Sequence, residues 1–435
     1  MRLGANQPRI GTFNERVVIN ALRRGSALSQ TELAEVTGLA LPTVAGIVKQ
    51  LAARGLIRVA GTRPVRQGRP RTLLALESEA RFALGVHLDP TQVSITLLDL
   101  AGRARSARME VGALAGRPED VVDRIAGMCI QVIADAGADR TRVVGAGLAS
   151  PGPIDLVGGR LVDPPWLPGW AGFPVREALS DALGMGVLFE KDTIAAITGE
   201  TWLRIDDDTD RTVMFVYLGM GIGLGFSAGG EVFRGSSGNA GEIGNLFRAP
   251  WADGASWADG ARGAAEVGTV KFGSPVVAGA DVSRVDPAYM VRLALDSGVL
   301  GPEFGPVDTS GGPLTNLAAL DAAFGALCAR AEEGDQAAQE ILRGAGERVG
   351  VALALLSDIL DVDEVVCGGP YWERVRPWYL DPIAQTVGAP RVGGVPHGAS
   401  VSSSIMGTSA GAIGAAAMVL DERYVPRAAM LAARA

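Results

Sequence analysis

The chain has 435 residues, 48% of them hydrophobic and 20% charged, which is enough for one small and one large two-lobed domain and excludes a disordered or fibrous protein. Its net charge of −8 is unevenly placed: residues 1–80 hold 12 Lys+Arg against 5 Asp+Glu, a net of +7, so the remainder carries −15. A basic front on an acidic body fits nucleic-acid binding, and it equally fits ordinary solvated charge.

Three widely separated cysteines, Cys129, Cys328 and Cys367, argue against a disulfide framework or a thiolate zinc site and fit a reducing, cytoplasmic setting. Residues 1–12 are polar and lack the apolar core of a signal peptide. The uncharged stretch Thr212 to Gly230 is long enough to consider as a membrane span, but its glycines favour a buried strand, a tight turn and a second strand, so no membrane partner is expected.

In chain order, Val17, Val18, Ala21 and Leu22 recur at helical spacing from Glu15, and Gly25 closes this first helix. Ser29-Gln-Thr-Glu32 is a capping-box pattern opening a second helix through Val36, followed by a tight turn at Thr37-Gly38-Leu39. A third helix runs from Leu41-Pro42-Thr43 to about Arg54. It puts Val44, Ile47, Val48 and Leu51 on one face and Thr43, Ala45, Gly46, Lys49 and Gln50 on the other. Helix, glycine turn and helix at this spacing predict a helix-turn-helix, with Thr43, Lys49 and Gln50 as candidate DNA contacts on a small, polar face that suits the major groove. Gly55 to Val59 and Arg71 to Leu76 predict a β-hairpin wing. Its tip, Arg66-Gln-Gly-Arg-Pro-Arg71, offers Arg69 and Arg71 to a narrow minor groove.

From Arg81 the pattern changes. Phe82 to Val86 reads as a buried strand, Val93 to Leu98 as an alternating strand with a hairpin turn at Asp99-Leu-Ala-Gly102, Glu119 to Ala136 as a helix, and Val143 to Ala149 as a strand. Asp335 to Ile359 reads as long helices, Val362 to Cys367 as a strand, and Thr408 to Leu420 as a small-residue helix.

Four stretches, Gly147-Leu-Ala-Ser-Pro-Gly-Pro-Ile-Asp155, Glu190-Lys-Asp192, Leu218-Gly-Met-Gly-Ile-Gly223 and Gly235-Ser-Ser-Gly-Asn-Ala-Gly-Glu-Ile-Gly244, resemble in order and spacing those of the ROK family of repressors and sugar kinases. Asp361-Val-Asp-Glu-Val-Val-Cys-Gly-Gly369 looks like that family's adenosine-side strand and turn. The resemblance spans nearly the whole chain, and its most specific piece is Gly-Asn-Ala-Gly-Glu. It implies an α/β fold: an N-terminal winged helix-turn-helix over 1–80 and an actin-like, sugar-kinase-type domain over 81–435. Lobe one would take about 81–196 plus a C-terminal helix at 408–425, and lobe two about 197–407. Carried over by motif, Gly152 lines a sugar, Asp192 binds a hydroxyl and serves as base in kinases, and Glu242 and Glu266 bind further hydroxyls. Carboxylates suit vicinal hydroxyls and discriminate against sugars lacking them. Trp166 and Trp170 offer either an apolar face for the ring or ordinary packing.

Three departures from the family pattern shape the expected function. Where kinases carry Asp-x-Gly-Gly-Thr, this chain has His87-Leu-Asp89-Pro90-Thr91, and Met220 replaces a threonine in the second phosphate turn. Proline has no amide hydrogen and lacks glycine's freedom, so the phosphate cradle should be missing and no kinase activity is expected. Asn245 stands in place of a zinc histidine, and Trp257, Asp259 and Ala264 in place of thiolates, so neither a metal nor another cofactor is expected; His87 reads as a satisfied strand residue. Lys191 stands where the family has asparagine, in a chain with only three lysines. It either holds Asp192 ionised and donates to the ligand's oxygen, carboxylate or phosphate, or faces solvent and pairs with Glu190. Lys191 and Asn245 both lie at sugar-contact positions, so the effector need not be a typical family sugar.

The resulting expectation is a sugar-responsive transcriptional regulator of carbohydrate-utilisation genes, a repressor by preference, acting on a double-stranded DNA operator as a homodimer or homotetramer. Cleft closure would reach the DNA module through the segment Leu76 to Arg81. The alternatives are an active sugar kinase fused to a DNA-binding module, or a constitutive repressor with an empty cleft.

Overall fold

A computed structural model of the chain describes residues 7–25, 27–64, 69–164, 166–204, 211–247, 285–305, 317–389 and 398–427. The front module comprises α1 (Gln7–Arg24), α2 (Gln30–Thr37), α3 (Leu41–Ala53) and a hairpin of β1 (Ile57–Arg63) and β2 (Arg71–Leu76). The Ser29 capping box is formed at α2, and Gly38 ends that helix at φ 68°, a conformation that favours glycine. Pro42 sits in the first turn of α3, where its missing amide costs nothing. The predicted inner face of α3 is buried, and it packs with Val18, Ile19 and Leu22 of α1. Helix α1 begins well before the expected Glu15, because Pro8 falls in the first turn, where proline is tolerated.

Behind it come β3 (Phe82–Asp89), β4 (Gln92–Asp99), β5 (Ala104–Val111), α4 (Pro118–Asp135), β6 (Val143–Ser150), the short pair β7 (Ile154–Asp155) and β8 (Arg160–Leu161), α5 (Val175–Leu183), β9 (Val187–Lys191) and α6 (Asp192–Leu203). A second series follows: β10 (Thr212–Leu218), β11 (Ile222–Ala228), β12 (Glu231–Val232), α7 (Pro287–Asp296), α8 (Leu317–Glu332), α9 (Gln336–Leu360), β13 (Glu364–Gly368), α10 (Trp372–Gly388), β14 (Ser400–Ser403) and α11 (Ala410–Tyr424). Two five-stranded sheets result, ordered β5-β4-β3-β6-β9 and β12-β11-β10-β13-β14. Each has an antiparallel three-stranded edge joined to parallel strands, so the two lobes repeat one plan.

The helices α6 and α11 pack against each other and against the first sheet, and glycine makes that approach possible. A Cβ on Gly85 or Gly147 would overlap carbonyl oxygens of α11, and one on Gly414 would overlap the carbonyl of Ala195 in α6. The small-residue helix expected from the sequence therefore returns to the first sheet.

Residues 76–81 are not a free connection. Leu76 ends β2, the carbonyl of Ser78 accepts the Leu100 amide at 2.9 Å, and Ala80 is buried. One continuous core runs from α1, α2 and α3 through Ala80, Ala83 and Trp202 to Ala416 and Leu420 of α11. Among the described residues no single helix is long and apolar enough to cross a membrane.

Candidate functional site

The cleft is assembled from strand and helix ends. Strand β3 ends at Asp89, β9 ends at Lys191, and α6 begins at Asp192, so three ionisable side chains arrive where backbone runs stop. The β10–β11 turn brings Gly219 to Gly223 from the other lobe. A cavity of about 110 Å³ lies between them, lined by Asp89, Gly152, Trp166, Lys191, Asp192 and Glu242, among others. The structure thus brings together Gly152, Lys191, Asp192 and Glu242. Glu266, with the rest of the loop compared to a zinc site, lies outside the described residues, as does the side chain of Asn245.

Lys191 is buried, and its Nζ stands 2.6 Å from Oε1 of Glu242 and donates to the Ala240 carbonyl at 3.2 Å. Glu190 is held by Arg234 instead, at 3.1 Å. Pairing of Lys191 with Glu190 at the surface is therefore excluded: successive side chains of a strand point to opposite faces, and each of the two is largely buried with its own partner. Burial raises the Asp192 carboxyl to about 7 against the opposing pull of Lys191, while the Thr193 amide donates to it at 2.7 Å. Asp89 is raised in the same sense by burial. Three carboxyl groups thus face one ammonium, a balance that suits a ligand rich in hydroxyls better than an anion.

The turn after β3 is closed on itself. The amide of Thr91 donates to Oδ1 of Asp89 at 2.9 Å and its hydroxyl at 2.6 Å, while Pro90 has no amide to offer. Met220 is buried, with the Tyr371 hydroxyl donating to its sulfur at 3.1 Å. Trp166 lines the cavity, whereas Trp170 is buried in the first-lobe core and packs edge-to-face on Phe173. Of the two tryptophans, only Trp166 is placed to face a ligand. His87 is a buried strand residue bonded through Nε2 to the Tyr217 hydroxyl at 3.0 Å, and burial lowers it to about 4.

Sequence reasoning overlooked Tyr217 and gave no role to Asn239, although the latter sits in the motif singled out as most specific. Asn239 accepts the Ile154 amide at 2.7 Å and donates to the Ile154 carbonyl at 2.8 Å. With Arg234–Glu190 and Lys191–Glu242, it straps the loop after β12 to the first lobe along one edge of the cleft.

On the front module, Thr43, Lys49 and Gln50 are exposed on the outer face of α3, and Arg69 and Arg71 are exposed at the described end of the wing. Arg66, Gln67 and Gly68 lie outside the described residues.

Residues 83–255 match the model of the ROK family, and residues 14–58 match a winged helix-turn-helix DNA-binding model. Among curated proteins, the chain is 28% identical over 229 residues to the uncharacterised protein y4fQ of Sinorhizobium fredii, covering 53% of this chain and 58% of that protein. It is 23% identical to a putative xylose repressor of a Caldicellulosiruptor species, covering 55% and 60%. To a glucokinase of Halalkalibacterium halodurans it is 26% identical, covering 79% and 96%. The chain thus spans less than two thirds of the length of the first two. Among solved structures it resembles a ROK family transcriptional regulator homologous to the E. coli MLC protein, with TM-score 0.68, 18% identity, and coverage of 97% of this chain and 99% of that one. That likeness concerns the fold.

Proposed function

From the premise that this chain carries a ROK-family domain behind an N-terminal winged helix-turn-helix, we propose that it is a sugar-responsive transcriptional repressor of carbohydrate-utilisation genes, with a kinase-like domain that binds without phosphorylating. The observation that carries this reading is the pairing of two features: an exposed polar face on α3 with Thr43, Lys49 and Gln50, and a cleft whose first turn spends its own amide on Asp89. Phosphoryl transfer rests on positioning and charge neutralisation, and a turn with Pro90 and a self-satisfied Thr91 supplies neither to a nucleotide phosphate. The names of the xylose repressor and of the regulator of similar fold point the same way.

In this reading Asp192, Glu242 and Gly152, with Glu266, Asn245 and Lys191, hold the sugar, and Trp166 covers a face of its ring. A homodimer or homotetramer in the cytoplasm presents two α3 helices and two wings to a pseudo-palindromic operator. Sugar binding selects a lobe arrangement that spoils their spacing. The test is thermal unfolding across a sugar and sugar-phosphate panel, paired with selection of bound sequences from a random duplex pool. A selective rise in midpoint, lost in Asp192→Ala, together with an operator released by the same sugar, supports the reading. A ligand that binds and leaves operator affinity unchanged overturns it. The glucokinase similarity favours one other reading, an active sugar kinase fused to a DNA-binding module. Sugar-dependent release of ADP from ATP would establish that instead.

A further inference from the structure

Besides the apolar core it shares with the kinase-like domain, the front module is tied to that domain by two arginines of α1, spaced seven residues apart and therefore on one face of that helix. Nη1 of Arg16 donates to the carbonyls of Glu422 at 2.7 Å and Val425 at 3.2 Å, at the C-terminal end of α11. Nη1 of Arg23 donates to the carbonyl of Trp202 at the C-terminal end of α6, and its guanidinium lies 4.0 Å from the centroid of the Trp202 ring. The last carbonyls of a helix have no partner within it and carry the negative end of its dipole, so a cation from another element is the complement they need. One helix of the DNA-binding module thus caps two helices of the other domain. Burial pulls Arg23 down only to about 10, so it remains a cation at neutral pH.

What lies at the other end of α6 gives this contact its meaning. The helix begins at Asp192 in the cleft and Trp202 follows ten residues on, so the Arg23 contact lies about 15 Å from the start of the helix along a single rigid element. The same C-terminal turn is tied to the second lobe. Glu200 accepts the Ser404 hydroxyl at 2.7 Å, and Arg204 binds Glu200 at 2.8 Å while reaching Glu364 on β13 and Ser402 beyond it. A change in the angle between lobes therefore moves the carbonyl that Arg23 holds. A cavity of about 240 Å³ lies beside this point, lined by Arg23, Arg24, Trp202 and Arg204 among others, and leaves open space next to the Arg23 contact.

We infer that Arg16 and Arg23 are the positioning residues that couple the cleft to the DNA-binding module, by clamping α1 to the C-terminal carbonyls of α11 and α6. This rests on the repressor reading above, and the segment at 76–81 is not the main route. The clamp acts as a two-state contact: intact, it fixes the orientation of α3 relative to the domain behind it; broken at α6, it lets α1 shift on the apolar core the two share.

The test uses the full chain and two measurements. In the free protein, hydrogen exchange should rise at least tenfold across α1 in Arg16→Gln/Arg23→Gln, with exchange in β3, β4 and β6 unchanged. A rise below twofold overturns the clamp. In the second, a 30-base-pair duplex selected for binding to the wild type is added. Linkage is reciprocal, so DNA binding must alter exchange at residues 192–196 near the cleft. At duplex concentrations that saturate it, the double variant should lose the response, and Arg23→Lys, which keeps the charge but not the planar stack, should retain part of it. A response that persists in the double variant overturns the coupling. A wild type that binds no duplex sinks the repressor reading, and the free-protein exchange still decides whether these arginines hold the module.

Discussion

Lys191 and Glu242 form an ion pair of 2.6 Å whose two ends differ in kind: the lysine side chain is 3% exposed and the glutamate 52%. The pair joins the end of β9 to the loop after β12, and so one lobe to the other. Removing the glutamate leaves a buried ammonium with the Ala240 carbonyl and the neighbouring Asp192 carboxyl, whereas removing the lysine frees a carboxylate that water reaches. Glu242→Ala is expected to cost about 3 kcal/mol and Lys191→Gln about 1 kcal/mol or less, measured by urea unfolding. Equal costs would mean the lysine is hydrated in solution.

The pH dependence of stability should contain two opposed contributions. Burial raises Asp192 to about 7 in the fold, so its neutral form favours folding; that contribution is complete below the unfolded carboxyl range and is lost as pH rises to about 7. His87 is lowered to about 4, so its contribution is present above the unfolded imidazole value and is lost as pH falls from about 6.5 to 4. Between pH 5 and 6.5 the two oppose each other. Asp192→Asn should leave the histidine contribution exposed, and stability should then climb with pH by up to about 1.4 kcal/mol per unit more steeply than in wild type. Parallel curves for the two proteins would argue against a neutral Asp192.

A methyl group at Gly147 would meet the backbone of α11 at Ala415. Gly147→Ala is expected to lower stability by about 2–3 kcal/mol through overpacking, whereas Gly46→Ala, on the open face inside α3, should raise it by about 0.5–1 kcal/mol. Calorimetry on both variants checks the contrast.

Asn239→Ala removes both bonds to Ile154 and leaves that residue's amide and carbonyl without their partner. A loss of about 2 kcal/mol is expected, with sugar affinity falling more than operator affinity because the strap borders the cleft. Thermal shift and operator titration separate the two effects.

On the DNA side, Lys49→Ala should weaken binding to all sequences alike and reduce the slope of log affinity against log salt by about 1. Gln50→Ala should instead relax preference at one base position by about 1–3 kcal/mol. Titrations against the selected operator and a scrambled duplex at two salt concentrations distinguish them.

The helix-turn-helix and much of the cleft were legible in the sequence because they rest on short-range chemistry. Ser29 with Glu32, Gly38, and the alternation of Val44, Ile47, Val48 and Leu51 specify their structure within a few residues, as does the loss of the amide at Pro90. The order of the motifs places Gly152, Lys191, Asp192 and Glu242 together, and they line one cavity. Partner choice was decided only by the tertiary structure. That Lys191 takes Glu242 and leaves Glu190 to Arg234, that Trp166 lines the cleft while Trp170 fills the core, and that Arg16 and Arg23 end on carbonyls some 400 and 180 residues away depend on contacts across the chain. Local spacing carries no record of such contacts, because an ion pair or a cap is satisfied by whichever group the packing of two sheets and two helices happens to deliver.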